Sequence, residues 1–229
     1  MKGILLVDKP EGWTSFDVVA RVRGMVARIE GKKPRNVKVG HTGTLDPSAT
    51  GLLVLCVGKE FTKKVPTMIK HDKTYEVELT LGKTSTTGDK EGDIKKVSDT
   101  QPTESEVETA VLSFVGESMQ MPPKFSALKI NGKRAYELAR EGKEVVLQPR
   151  KITIHSIDTI VYDYPKVTFT TSVGSGTYIR SLAEDIGDTL KTGAYMSNLK
   201  RTVVGDRNIM QAVAVSDLTD EIVEKTLVE

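Results

Sequence analysis

The pattern of hydrophobic and polar positions along the chain predicts strands and helices that follow one another without a regular order. Period-two alternation over residues 75–81 is typical of a half-buried strand, whereas apolar residues recur on one helical face from Val18 to Ile29. Just before that face, Thr14 and Asp17 have the spacing of a capping box. The same pattern predicts strands at residues 4–7, 52–57, 75–81, 151–161 and 167–173, and helices at residues 14–29, 103–114 and 178–190.

This irregular order of elements favours one fold class. Strands and helices without a βαβ repeat favour an α+β fold, with a mixed, largely antiparallel central sheet flanked by helices and loops, over a doubly wound parallel sheet. Neither an internal repeat nor a long linker divides the 229 residues, so we expect a single domain over residues 1–229. A short acidic helix is expected at residues 216–227.

Composition excludes several classes of protein. A hydrophobic share of 38% and a charged share of 28% are typical of a globular chain, not of a disordered or membrane-spanning one. The single Cys56 cannot form an internal disulfide, and the apolar run at residues 4–7 is too short for a signal peptide or a membrane span. We therefore expect a cytoplasmic protein.

The net charge depends on which part of the chain is counted. The formal charge of the whole chain is only +2, which by itself argues against a dedicated nucleic-acid binder. Residues 216–229 hold five acidic residues and one basic residue, so the rest of the chain carries +6. Basic residues alternate with aromatic ones at residues 59–75 and at residues 124–151, where the local charge is +5. Such stretches suit a phosphate backbone and unstacked bases.

The sequence lacks the motifs of several common enzyme classes. Residues 40–44 resemble a phosphate loop but lack its Gly-Lys-Ser/Thr ending, and residues 174–176 lack the third glycine of a dinucleotide fingerprint. The three histidines are scattered, and there is no Gly-x-Ser-x-Gly elbow. Nucleotide hydrolysis, dinucleotide redox chemistry, zinc catalysis and serine hydrolysis are therefore unsupported, and if the chain is an enzyme we expect it to work without a cofactor.

Two segments carry residues that are typical of a site. Residues 40–51 read Gly-His-Thr-Gly-Thr-Leu-Asp-Pro-Ser-Ala-Thr-Gly and place one carboxylate, Asp46, before a proline that restricts its backbone. Arg180 falls in the first turn of a predicted helix, where the helix dipole disfavours a cation. A carboxylate opposite Arg180 would offset that cost, and Asp46 is a candidate. Taken alone, the two features also fit an ordinary turn and a surface arginine.

Together these segments resemble the TruB family of tRNA pseudouridine synthases. The resemblance rests on residues 40–51 and on shorter motifs in the same order between about residues 3 and 207, namely Asp8-Lys9-Pro10-x-Gly12, Lys73-x-Tyr75, residues 125–129, residues 176–180 and Leu199-Lys200-Arg201. It implies the pseudouridine synthase fold and the isomerisation of uridine to pseudouridine at position 55, in the T-loop of tRNA. The base would leave C1′ through N1, turn and rejoin through C5, with no metal or other cofactor.

The resemblance also implies roles for individual residues. Asp46 matches the family's nucleophile, Tyr75 the tyrosine that stacks on the target base, and Arg180 the arginine that pairs with the aspartate. It further implies contacts with the substrate for His41, Lys63, Asp89, Lys129, Tyr178 and Leu199. Residues 122–146 correspond to an RNA-clamping insertion. We therefore expect a monomeric enzyme that binds the T-arm stem-loop of tRNA and flips the target base out of the loop.

On the residues alone, two other functions stay open. An RNA glycosidase would release free uracil, but such enzymes typically use two carboxylates, and only Asp46 lies in an evident site motif. A non-catalytic RNA-binding module would need the basic stretches and not Asp46. The chain also departs from the family pattern, since most bacterial members carry a further RNA-binding domain, which we expect to be lacking here.

Overall fold

The computed structural model describes residues 1–126, 128–130, 132–143 and 145–227, with only the backbone at residues 129 and 130. Its helices are α1 (Ser15–Ile29), α2 (Lys59–Thr62), α3 (Val65–Met68), α4 (Glu104–Leu112), α5 (Ala135–Arg140), α6 (Ile179–Thr189) and α7 (Asp220–Thr226). Its strands are β1 (Gly3–Lys9), β2 (Val39–His41), β3 (Thr50–Val57), β4 (Lys73–Leu81), β5 (Lys83–Ser85), β6 (Ile94–Lys96), β7 (Gly116–Gln120), β8 (Lys129–Ile130), β9 (Lys133–Arg134), β10 (Arg150–Asp163), β11 (Lys166–Val173), β12 (Ala194–Val204), β13 (Arg207–Asn208) and β14 (Val213–Ala214).

Contacts within the chain group into two compact units. The first unit comprises Met1–Tyr75 and Leu199–Glu229, and the second comprises Glu76–Asn198. The chain leaves the first unit along β4 and re-enters it along β12. That residues 1–229 act as one catalytic domain stays a prediction.

The first unit is built around a mixed set of strands in the order β14-β1-β3-β12, with β2 also paired to β3. Strand β1 runs antiparallel to β3 and parallel to β14, and β12 runs parallel to β3. One face of β3 packs with α1 and α7, while its other face packs with Met68 and Val204. Because both faces of β3 are buried, its sequence is a continuous apolar run instead of an alternating one.

Helix α1 begins where the sequence predicts. The Thr14 hydroxyl accepts a hydrogen bond from the Asp17 amide at 3.1 Å, and the Asp17 carboxylate accepts one from the Thr14 amide at 2.8 Å. The predicted capping box is therefore present. The apolar face of α1 packs into the core of the first unit, which is the reason for the 3.6-residue period in its sequence.

In the second unit, the strands lie in the order β4-β11-β10-β7. Strand β10 pairs antiparallel with both β11 and β7. Helices α4 and α6 coincide with the predicted helices, each within two residues at either end, and Thr103 caps α4 through a second capping box with Glu106. The predicted strands at residues 151–161 and 167–173 are confirmed as β10 and β11.

The predicted α+β class, with a mixed and mostly antiparallel sheet, is confirmed. The prediction of a helix over residues 216–227 is wrong at its start: residues 215–217 form a 3-10 turn, and α7 begins only at Asp220. The reason is local, since the Thr219 hydroxyl caps α7 by accepting a hydrogen bond from the Ile222 amide at 3.2 Å. Among the described residues, no helix combines the length and apolar character needed to cross a membrane.

Candidate active site

Residues 42–49, which we call the Asp46 loop, are fixed to the first unit through their backbone. The Thr42 amide donates to a β3 carbonyl at 3.1 Å. The buried hydroxyl of Ser15, at the start of α1, accepts from the Leu45 amide at 2.8 Å and donates to the Leu45 carbonyl at 3.0 Å. One serine side chain thus satisfies both backbone groups of the residue that precedes Asp46.

Lys9 holds the other side of the Asp46 loop. Its side chain is 0% exposed, and its ammonium donates to the carbonyls of Pro10 at 2.9 Å, Trp13 at 2.7 Å and Pro47 at 3.3 Å. The Pro47 carbonyl also accepts from the Gly12 amide at 2.9 Å. The Asp8-Lys9-Pro10-x-Gly12 motif therefore fixes the residue that follows Asp46.

A second buried cation, Arg201 on β12, lies beneath the start of the Asp46 loop. Its side chain is 2% exposed, and its guanidinium donates to the Leu52 carbonyl at 2.8 Å through Nε and to the Gly43 carbonyl at 3.0 Å through Nη2. A guanidinium has donors on a rigid plane, so it can join two carbonyls in a fixed geometry. Arg201 thereby ties the loop to the first strand residues that follow it.

A third buried cation, Lys73 at the start of β4, donates to the carbonyls of Ile69 at 3.1 Å and His71 at 2.5 Å. Burial lowers the pKa of Lys73 to about 8, and the positive charge of Arg201 adds to this effect while Asp72 opposes it. Three buried cations thus lie near the base of the Asp46 loop, and the lowered pKa of Lys73 reflects first its burial and then the nearby charge of Arg201.

Asp46 itself is half-buried. Its carbonyl accepts from the Ala49 amide at 3.1 Å, which closes a turn around Pro47. His41, also half-buried, stands at the end of β2 just before the loop, and its Nδ1 accepts from the Gly43 amide at 3.3 Å. The arrangement presents one carboxylate on a backbone whose conformation is set by its neighbours.

The remaining predicted residues of the first unit lie on its strands and on α2. Tyr75 on β4 is 8% exposed, and Leu199 on β12 is also buried. The Leu199 carbonyl accepts from the Thr50 hydroxyl at 3.5 Å, at the end of the Asp46 loop. Lys63, the C-cap residue that follows α2, is exposed.

In the second unit, Arg180 lies in a ring of acceptors. Its guanidinium donates to the Thr87 carbonyl at 3.1 Å and to the Phe125 carbonyl at 2.8 Å, and it lies 3.5 Å from the Asp89 carboxylate. Asp89 is held in turn by the Thr87 hydroxyl at 2.6 Å and the Glu91 amide at 3.0 Å. These acceptors offset the unfavourable position of a cation in the first turn of α6.

Two further predicted residues belong to the second unit. Tyr178 is half-buried and occupies the N-cap position of α6. Its backbone amide and carbonyl both bond to the side chain of Gln120, at 2.8 Å and 3.0 Å. Lys129 lies on β8, and its side chain is outside the described part of the structure.

The predicted residues therefore fall into one set in each unit. The first set is His41, Asp46, Lys63, Tyr75 and Leu199, and the second is Asp89, Tyr178 and Arg180. Their roles, and the pairing of Asp46 with Arg180, stay predictions. The carboxylate beside Arg180 in the second unit is Asp89, for which the sequence predicts only contact with the substrate.

Sequence reasoning assigns no role to the residues that fix these sets, namely Ser15, Lys9, Arg201 and Gln120. Lys9 and Arg201 do lie in motifs that carry the resemblance to the TruB family, and that resemblance is the signal that could have marked them, because lysine and arginine are usually exposed. Nothing in the local sequence marks Gln120, because its two bonds reach a residue 58 positions away.

Comparison with known proteins identifies similarity to pseudouridylate synthases. A model of the TruB family pseudouridylate synthase N-terminal domain matches residues 31–179, and a model of the tRNA pseudouridylate synthase B C-terminal domain matches residues 180–229. The chain is similar to an H/ACA RNP structure bound to a substrate RNA containing 2′-deoxyuridine. That similarity has a TM-score of 0.69 and 25% identity, over 99% of this chain and 56% of that one.

Curated relatives are more similar in sequence. The tRNA pseudouridine synthase B of Clostridium kluyveri is 46% identical over 228 residues, and that of Clostridium acetobutylicum is 43% identical over 228 residues. Each alignment covers 100% of this chain and 76% of the relative. The chain therefore belongs to the TruB family of pseudouridylate synthases and is an isomerase that converts uridine to pseudouridine in tRNA.

Proposed function

We propose that the chain acts on the uridine at position 55, in the T-loop of tRNA, and that Asp46 is the nucleophile. The observation that carries this proposal is the fixed backbone around Asp46. Ser15 holds the residue before it, Lys9 and Gly12 hold the residue after it, and its own side chain stays half-buried. A nucleophile is effective when its approach to the substrate is set in advance.

The chemistry proposed for Asp46 is covalent catalysis. Its carboxylate adds to the target nucleotide at C1′ or at C6, the C1′–N1 bond breaks, and the base turns within the site. A C1′–C5 bond then forms and Asp46 is released, and the proton that C5 loses is balanced by one that N1 gains. The product contains the same atoms as the substrate, so the reaction consumes no co-substrate.

Tyr75 is proposed to receive the flipped base. Extruding a base from a structured loop costs a few kcal/mol, and stacking on an aromatic ring returns about 1–3 kcal/mol. The ring of Tyr75 is 8% exposed, so it is already packed in one place before the base arrives. Leu199 is also buried and is proposed to line the same pocket, while His41 and Tyr178 support the extruded nucleotide.

Arg180 is proposed to keep the nucleophile ionised, since a guanidinium beside a carboxylate lowers its pKa. Asp89 acts through Arg180, because it lies 3.5 Å from the guanidinium and is itself fixed by Thr87 and Glu91. Lys63 and Lys129 are proposed to contact the RNA backbone, the latter from the clamping insertion at residues 122–146.

The substitution Asp46→Asn tests the nucleophile. It keeps the shape of the side chain and removes its charge and nucleophilicity, so we expect turnover to fall at least about 10³-fold. Turnover is measured as release of the C5 hydrogen from labelled uridine, on whole tRNA and on an isolated T-arm hairpin. Binding of either RNA to the variant is expected to persist.

Asp217→Asn is the matched control. Asp217 is exposed and its side chain accepts a hydrogen bond from the neighbouring Ser216, so this variant is expected to keep wild-type turnover. A fully active Asp46→Asn protein would refute the assignment of the nucleophile. Release of free uracil by the wild type would instead identify a glycosidase, and modification of a tRNA uridine other than the one at position 55 would refute the proposed site of action.

A further inference from the structure

The start of helix α6 has an unusual source of capping. Tyr178 at the N-cap position has an extended backbone (φ −103°, ψ 114°), and its own side chain makes no capping hydrogen bond. Gln120, at the end of β7, supplies bonds to that residue from outside the helix. Its Nε2 donates to the Tyr178 carbonyl at 3.0 Å, and its Oε1 accepts from the Tyr178 amide at 2.8 Å.

A primary amide is well matched to this task. It offers a donor and an acceptor on the same edge, as a neighbouring strand would, and so pairs with both backbone groups of one residue. Gln120 is 3% exposed, so water does not readily replace these bonds. Gln120 thereby fixes the direction in which the chain enters α6.

Two residues in the first turn of α6 add hydrogen bonds between the start of this helix and the segment that follows β7. The Ser181 hydroxyl donates to the Met121 carbonyl at 2.8 Å, and Arg180 donates to the Phe125 carbonyl at 2.8 Å. Residues 120–125 are thus joined to consecutive residues of the helix start. The same residues lead into the insertion at 122–146, so one set of hydrogen bonds connects the base of the insertion to Arg180.

We propose that Gln120 is a positioning residue for the isomerisation: it orients the start of α6 so that Tyr178 and Arg180 present their side chains in the productive geometry. The inference rests on the proposed function, in which Arg180 and Tyr178 take part in the reaction. A displacement of about 1 Å in a positioning element can lower a rate about 100-fold without contact between that element and the substrate.

The substitution Gln120→Glu tests whether the hydrogen bond donated by Gln120 Nε2 to the Tyr178 carbonyl is needed. An ionised glutamate only accepts hydrogen bonds and faces the Tyr178 carbonyl with no proton to share, whereas a protonated one has a donor and an acceptor and restores both bonds. We expect kcat at pH 8 to fall about 10- to 100-fold, with KM for tRNA changed less than about 3-fold. The deficit relative to wild type is expected to shrink as the pH falls towards 5.5.

The charged groups around position 120 affect the pH at which the introduced glutamate becomes protonated and kcat recovers. Arg150 is the register partner of Gln120 on β10, and Arg180 lies on α6; both favour the ionised form. Asp185 and Asp188 line the same cleft of about 300 Å³, and they favour the protonated form, as does burial. Each variant is compared with wild type at the same pH, so that a pH dependence shared with the wild type does not affect the comparison.

Two variants serve as controls. Gln120→Leu removes both hydrogen-bonding groups and is expected to show a low kcat at every pH. Gln101→Glu introduces the same charge change at an exposed position of the second unit and is expected to match the wild-type profile. Circular dichroism and thermal unfolding at pH 5.5 and pH 8 identify the variants that are folded.

The outcomes separate this inference from the proposed function. A wild-type protein inactive on the T-arm uridine would refute the proposed function, whereas an active wild type with an equally active Gln120→Glu variant would overturn only the positioning role. A deficit confined to KM, or one that does not change with pH, would also overturn it. If Gln120→Glu does not fold, Gln120→Leu carries the test: a lower kcat at unchanged KM supports the inference, and an unchanged kcat overturns it.

Discussion

At the scale of single residues, the Asp46 loop is distinguished by the cations around it. Lys9, Lys73 and Arg201 are buried, and each donates to backbone carbonyls. These three side chains place positive charge at the base of the loop, and each contributes a positive potential there. Such a potential favours an ionised carboxylate and an approaching phosphate backbone. The cations therefore have a structural role and an electrostatic one.

The lowered pKa of Lys73 makes the energetic cost of burying its charge measurable. Between about pH 8 and its ordinary value of 10.5, Lys73 is deprotonated in the folded protein and protonated in the unfolded chain. Stability rises with pH wherever the unfolded state binds more protons. We expect the free energy of unfolding of wild type, relative to Lys73→Met, to increase by on the order of 3 kcal/mol from pH 7 to pH 10.5. Urea titrations across this range measure the difference, and parallel pH profiles would contradict the prediction.

At the scale of elements, the sequence predicts those whose signals are local. The capping box at Thr14 and the strands β10 and β11 depend on neighbouring residues and are predicted correctly. Strand β12 is not predicted, because its Lys200-Arg201 pair is typical of an exposed segment. Arg201 is nevertheless buried, since carbonyls contributed by the Asp46 loop and β3 accept its hydrogen bonds. Those partners are about 150 residues away, beyond any local pattern.

The close approach of β3 and β12 explains why a glycine is required at the end of residues 40–51. Gly51 has a φ of +102°, and a Cβ placed there would lie 2.3 Å from the Arg201 carbonyl oxygen. We expect Gly51→Ala to destabilise the fold by about 3 kcal/mol or more, because overpacking and an unfavourable φ add together. Denaturant unfolding monitored by circular dichroism measures this loss.

Gly24 in α1 is the matched position. A Cβ there meets no atom within 4 Å, so Gly24→Ala is expected to stabilise the helix by up to about 1 kcal/mol. If both alanine variants shifted the unfolding midpoint in the same direction, the steric account of Gly51 would fail.

For the whole molecule, the candidate catalytic residues are easier to identify from the sequence than the residues that position them. Arg180 stands out because a cation at a helix N-terminus breaks a local rule, and Asp46 stands out as the one carboxylate of residues 40–51. Asp89, the carboxylate beside Arg180, is 91 residues away along the chain and has no comparable signal. Family resemblance marks Asp89 as important, but only the structure shows that it contacts Arg180.

The distribution of charge over the molecule leads to the last prediction. Lysines at 59, 63, 64 and 70 are all exposed around α2 and α3, and the Lys64 ammonium lies 4.6 Å from the centre of the Phe61 ring. The near-neutral total of +2 conceals this basic face. We expect the face to bind RNA phosphates, and therefore to bind tRNA through the release of counterions.

Replacing Lys63 and Lys64 together by alanine is therefore expected to weaken tRNA binding most at low salt. The slope of log K against log salt concentration should fall by about 0.7–0.9 for each phosphate that the variant no longer neutralises, and by similar amounts for different tRNAs, because phosphates carry no sequence information. Lys225→Ala is the control for charge, since Lys225 is exposed but lies on acidic α7, paired with Glu221. Equal slopes for wild type and the double variant would show that α2 and α3 do not touch the RNA backbone.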